Sequence, residues 1–97
     1  MNGRAITQLS ATFERVTPDK AALFLESSTG NRAIRKWWVE SIAQAIKRGE
    51  WITTHQGIAF SQSGRFLDGH HRCMAIVSAN TPINMLVVRG VDDAAFT

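Results

Sequence analysis

Cysteine is nearly absent from this chain, which carries only Cys73 in 97 residues. A lone thiol excludes an internal disulfide and agrees with a reducing compartment. No apolar run approaches the roughly 18 residues that cross a bilayer, so no membrane partner is expected. The opening Met1-Asn2-Gly3-Arg4 has no apolar core behind it and does not read as a signal peptide. The expected location is therefore cytoplasmic. No internal repeat, low-complexity tract or long linker divides the sequence, and its length suits one domain with a modest core. The expected organisation is a flexible N-terminal arm over residues 1–10 and a single domain over 11–97.

What is present is ordinary for a globular protein: 44% hydrophobic and 20% charged residues, with a net charge of +3. The basic residues cluster. Arg32, Arg35, Lys36, Lys47 and Arg48 fall in one stretch, with Glu40 as its main acid. Such a stretch either meets nucleic acid or nucleotide, or is simply a solvated helix face.

The pattern predicts α+β structure, a small mixed sheet with packed helices. Ala11 to Val16 reads as a short strand. Thr17-Pro18-Asp19 reads as a helix start, with Thr as N-cap and Pro at the first helical position, and the helix runs to about Ser27. Ala33 to Arg48 reads as the strongest helix. Its expected apolar face is Ile34, Trp37, Trp38, Ile42, Ala45 and Ile46, with Gly49 as terminator. Trp37 and Trp38 could stack on bases, but an aromatic pair at helical spacing more often packs in the core, so at least one tryptophan is expected there. Trp51 to Thr54 and Gly57 to Phe60 read as strand segments about a turn at His55-Gln56-Gly57. Ser61 to Gly64 reads as a hairpin loop, Arg65 to Leu67 as the returning strand, and Gly69 to Ala79 as a helix. Ile83 to Val88 is apolar enough for a central strand, and Asp92 to Phe96 begins a terminal helical turn.

The run Leu67-Asp68-Gly69-His70-His71-Arg72 joins a strand end to a helix start. Burying all its polar groups without partners would cost several kcal/mol, so the run is expected at a surface or cleft. There the helix N-terminus, two imidazoles and a guanidinium suit an anion, phosphate above all. Arg72 offers a planar fork to phosphate oxygens, and His71 can donate to phosphate or move a proton. Asp68 can accept a proton, steer a metal ion or cap the helix. Gly69 permits a sharp turn or close approach of a ligand. His70 and His71 are adjacent and diverge by about 100° on a helix, and Cys73 follows His71 by only two positions, so this is not a zinc pattern. Cys73 itself falls on the inner side of the helix, where a thiol is usually inert.

With these residues in place, the chain resembles the ParB/sulfiredoxin superfamily, in particular the short ParB-like domains of phages and mobile elements. The matching pieces are Asn31-Arg32, Val39 to Ala43, Gly49 to Trp51, Ile58 to Phe60, Gly64 to Arg72, Ala75 to Val77, and the strand Met85 to Arg89 with Gly90. The resemblance implies nucleotide phosphates resting on the turn at Gly69 and on the helix after it. It implies ATP or CTP with Mg as cofactors, Asn31, Arg32, Gly69, His70, His71 and Arg72 as binding residues, and Asp68 and His71 as candidate catalytic groups. In centromere-binding ParB proteins the turn is Gly-Glu-Arg-Arg-like, so Gly69 and Arg72 match while His70 and His71 differ. In sulfiredoxin it is Gly-Cys-His-Arg, so His70 stands where the nucleophile would be, and Cys73 is misplaced to replace it. In the free-serine kinases it is Asp-Gly-His-His-Arg, as in residues 68–72. Those enzymes also use an upstream glutamate base, for which Glu14 is the candidate near the first strand.

Three functional classes follow: a nucleotide-binding domain with NTP hydrolysis or phosphoryl transfer, a DNA-associated binding or nuclease module, and a non-enzymatic phage or mobile-element accessory protein that binds a host protein or sequesters a nucleotide. The partners they imply are a nucleotide, DNA, a host protein, and a second copy of the chain.

Overall fold

The structure is a computed structural model and describes residues 9–28, 34–51 and 57–96. The expected arm mostly lies outside the described residues, but Ser10 already belongs to the first strand, β1 (Ser10–Val16). Helix α1 (Pro18–Glu26) follows, then α2 (Lys36–Lys47), β2 (Ile58–Ser61), β3 (Phe66–Asp68), α3 (His70–Ala79), β4 (Ile83–Val91) and a 3₁₀ turn, Asp93–Phe96. The proposed strand at 51–54 and the turn at 55–57 fall largely outside the described residues.

The four strands make one mixed sheet in the order β1-β4-β2-β3. β4 is antiparallel to β1 and parallel to β2, and β2 and β3 form an antiparallel hairpin. β4 is thus interior, as its apolar run requires. Ile83, Met85 and Val87 alternate into the core, where Val16 pairs with Ile83 and Ile58 with Val87. The core closes with Phe60 and Phe66 from the hairpin, Ala21 from α1, and Cys73, Ala75, Ile76 and Ala79 from α3.

Local chemistry explains most element ends. The Thr17 side chain accepts the Lys20 amide at 3.1 Å, and Pro18 occupies the first turn of α1. Gly49 takes φ +71° just past α2, and Asn80 takes φ 51° just past α3, both left-handed terminators.

Helix α2 corrects the sequence reading. Arg35 is extended, at φ −99° and ψ 105°, so the helix begins at Lys36 rather than Ala33. Its buried stripe is Val39, Ala43 and Ile46, with Ile42 half-buried. Trp37 and Trp38 are 63% and 48% exposed, so neither is a core residue. The reason is rotational. A stripe centred on Val39, Ala43 and Ile46 leaves Trp38 about 100° to one side and Trp37 nearly on the opposite face. α2 packs on α3 with its Val39, Ala43 and Ile46 side buried.

Candidate functional site

The site is assembled where β3 ends and α3 begins. Gly69 is the N-cap of α3, with φ 107° and ψ 12°, rather than its first residue, and a glycine offers no side chain to cap the helix. Asp68 does not cap it either, since its Oδ1 accepts the neighbouring Gly69 amide at 2.9 Å. The first helical bond runs from the Cys73 amide to the Gly69 carbonyl at 2.9 Å. The amides of the first turn lie ahead of that bond and carry the positive end of the helix dipole.

The polar run is not wholly at the surface as expected. Asp68 is exposed and His71 and Arg72 are half-buried, but Gly69 and His70 are buried. His70 offsets part of the penalty of burial through partners at one ring nitrogen and at its ring face. Its Nε2 lies 2.9 Å from Ser28 Oγ, and its ring stacks on Phe66 with centroids 4.0 Å apart and planes 13° apart. This places His70 as a brace between the end of α1, β3 and α3. His71 points elsewhere, as consecutive helical residues must. Its Nε2 accepts the Arg35 backbone N–H at 3.1 Å, so a neutral ring carries its proton on Nδ1. Arg72 donates from Nη1 to the Gly57 carbonyl at 2.9 Å.

The glycines explain the tightness of the turn. A Cβ on Gly69 would lie 2.9 Å from the Gly57 oxygen and 3.0 Å from Ile58 Cγ1, at a φ that L side chains rarely adopt. A Cβ on Gly57 would fall 1.9 Å from the Leu86 oxygen. The two glycines let β4, the start of β2 and the α3 turn approach one another. Close backbone approach within the chain therefore accounts for Gly69.

Around this turn is a recess of about 110 Å³ lined by Trp38, Asp68, Gly69, His70, His71 and Arg72. It brings together four of the expected binding residues and the expected carboxylate. Asn31 and Arg32 lie outside the described residues. The Arg35 amide, Ser28 and Gly57 carry no site signal in the sequence. Trp38 carries one, as an aromatic in a basic stretch able to stack on bases, although its helical spacing favours the core. Cys73 is fully buried behind the recess, and desolvation pushes its thiol up to about 12.

Glu14 does not supply a base here. It accepts hydrogen bonds from Arg89, from Lys20 Nζ at 2.8 Å and from Thr12 Oγ1 at 2.7 Å. The Arg89 guanidinium above all holds its carboxyl down at about 2, far too weak a base for a hydroxyl proton. Glu14 lines a different recess, with Phe13, Arg15 and Asn84.

Among the described residues there is no cluster of three or more His, Cys, Asp or Glu side chains placed to hold a metal ion, and no helix long and apolar enough to cross a membrane. The chain is thus a small α+β domain with a polar recess at one helix start. No protein-family model, curated protein or solved structure matches it.

Proposed function

We propose that this is a nucleotide-binding domain of the ParB/sulfiredoxin type, which receives phosphate in the recess at the start of α3. The observation that carries the reading is the first turn of α3, with Gly69 at its N-cap and Arg72 and His71 lining the same recess. Backbone amides at a helix start, a guanidinium and an imidazole N–H are complementary to phosphate oxygens. His71 contributes through Nδ1, since its Nε2 is engaged by Arg35. Arg72 is held in place by Gly57, which lowers the entropy lost when it meets an anion.

Asp68 is the carboxylate at the rim. One carboxylate fits Mg²⁺ bound mainly through nucleotide phosphates and water. Mg²⁺ there would offset the repulsion between Asp68 and the phosphates. ATP and CTP are the proposed ligands. Hydrolysis or transfer is the activity that such positioning supports, because phosphoryl transfer depends chiefly on placement and charge neutralisation.

The test is thermal unfolding of the full chain with ATP or CTP and Mg²⁺. A rise in Tm that Arg72→Ala abolishes is expected, with phosphate release reporting any turnover. No shift with either nucleotide overturns the reading.

A further inference from the structure

Trp37 and Trp38 are the least explained feature of the molecule. Large aromatic side chains contribute strongly to folding when buried, yet these two stand at consecutive exposed positions outside the core cluster. They pack on each other edge-to-face, with ring centroids 5.4 Å apart and planes at 90°. Each thereby limits the rotamers of the other, and the pair forms a fixed wall rather than two loose side chains.

That wall continues the polar recess, because Trp38 lines it together with Asp68 to Arg72. Size then matters. The recess holds about 110 Å³. That suits a phosphate group. Whole small ligands need pockets of about 300 Å³ or more. A nucleotide with its phosphate in the recess must therefore leave its sugar and base outside, beside the Trp38 indole. Arg35 and Lys36 are exposed immediately before the pair, and the Arg35 backbone already meets His71 of the recess.

We infer that Trp38, backed by Trp37, is the stacking surface for the base of the nucleotide whose phosphates enter the recess. This rests on the phosphate-binding reading above and adds to it the element that separates a nucleotide from a bare polyphosphate. Stacking on an indole accepts every base, since every base has a π-face, but purines cover more of it. The site is thus broad in base choice, with purines ahead of pyrimidines. A strand of nucleic acid would use the same aromatic surface but needs successive bases and many phosphate contacts, whereas one recess beside one indole fits a single nucleotide.

The experiment titrates the full chain, with Mg²⁺ present, against tripolyphosphate, ATP, CTP and a single-stranded oligothymidine, following tryptophan fluorescence and Kd. Expected are ATP affinity at least tenfold above that of tripolyphosphate and quenching on ATP binding. In Trp38→Ala the ATP affinity falls about ten- to hundredfold, to the level of tripolyphosphate, whose own binding is unchanged. Trp38→Phe restores part of the loss, which a folding defect would not allow. Equal affinity for ATP and tripolyphosphate, insensitive to Trp38→Ala, overturns the stacking inference and leaves phosphate binding standing. Failure of every phosphate ligand to bind overturns the phosphate-binding reading itself. Tight, salt-sensitive oligothymidine binding that Trp37→Ala and Trp38→Ala abolish alike, with weak ATP binding, overturns the inference in favour of a strand.

Discussion

Arg72 donates from Nη1 to the carbonyl of Gly57 at 2.9 Å, tying the first turn of α3 to the residue just before β2. One side chain thus serves the fold and faces the recess. Arg72→Ala is expected to cost about 1–2 kcal/mol of stability, since the Gly57 carbonyl loses a charged donor. Arg72→Lys keeps the charge but loses the planar fork, so it should retain more stability than affinity. Chemical denaturation and nucleotide titration of both variants separate the two effects. Equal loss of both properties in Arg72→Lys would contradict this division.

Gly69 combines φ +107° with a Cβ position crowded by backbone. Gly69→Ala should destabilise the protein by about 2 kcal/mol or more, because strain and clash add. A urea midpoint within error of the parent would refute the packing described for the turn.

The two histidines should behave differently although they are neighbours. His70→Ala removes a buried ring stacked on Phe66 and the partner of Ser28 Oγ, so about 2–4 kcal/mol should be lost. His71→Ala should cost under about 1 kcal/mol, as the Arg35 amide it leaves is exposed, and should instead weaken nucleotide binding. The comparison is made by thermal unfolding beside ATP titration. A stability loss larger at His71 than at His70 would reverse the assignment.

Acid sensitivity should trace to Glu14. Its carboxyl is held at about 2 in the fold, chiefly by Arg89, against an ordinary value near 4.5. A folded value below the unfolded one stabilises the protein above about pH 4.5, and that stability is lost as pH falls toward 2. The contribution is on the order of 1–2 kcal/mol, reduced by the solvent that reaches Arg89 and Lys20. Glu14→Gln should lower stability at pH 7 and flatten the decline between pH 5 and 2, as followed by circular dichroism.

Cys73 should resist thiol reagents at pH 8 in the native state and react fully in denaturant. Full burial and a thiol pushed up to about 12 leave almost no accessible thiolate. Rapid native labelling would show that α3 opens locally.

Much of the fold is legible along the chain because it depends on near neighbours. Thr17-Pro18 caps α1, Gly49 closes α2, and the alternation from Ile83 to Val87 sets β4 in the interior of the sheet. The polar run at 68–72 marks where α3 begins, and its residues do meet at one recess. Helix α2 is less legible. Its presence and its end at Gly49 are in the sequence, but its start is not, and Ile34, Trp37, Trp38 and Val39 offer competing stripes. Packing of α2 on α3 settled which side is buried.

By itself, then, the sequence determined most of the elements, the caps at Thr17 and Gly49 and the chemical content of the α3 turn, because those depend on backbone preferences and on residues a few positions apart. Only the tertiary structure decided that His70 turns inward to Ser28 while His71 meets Arg35, that Arg72 anchors on Gly57, and that Trp38 borders the recess. Each of those outcomes joins residues distant along the chain. The physical reason is that packing, which assigns each side chain a partner or solvent, is settled between elements rather than within them.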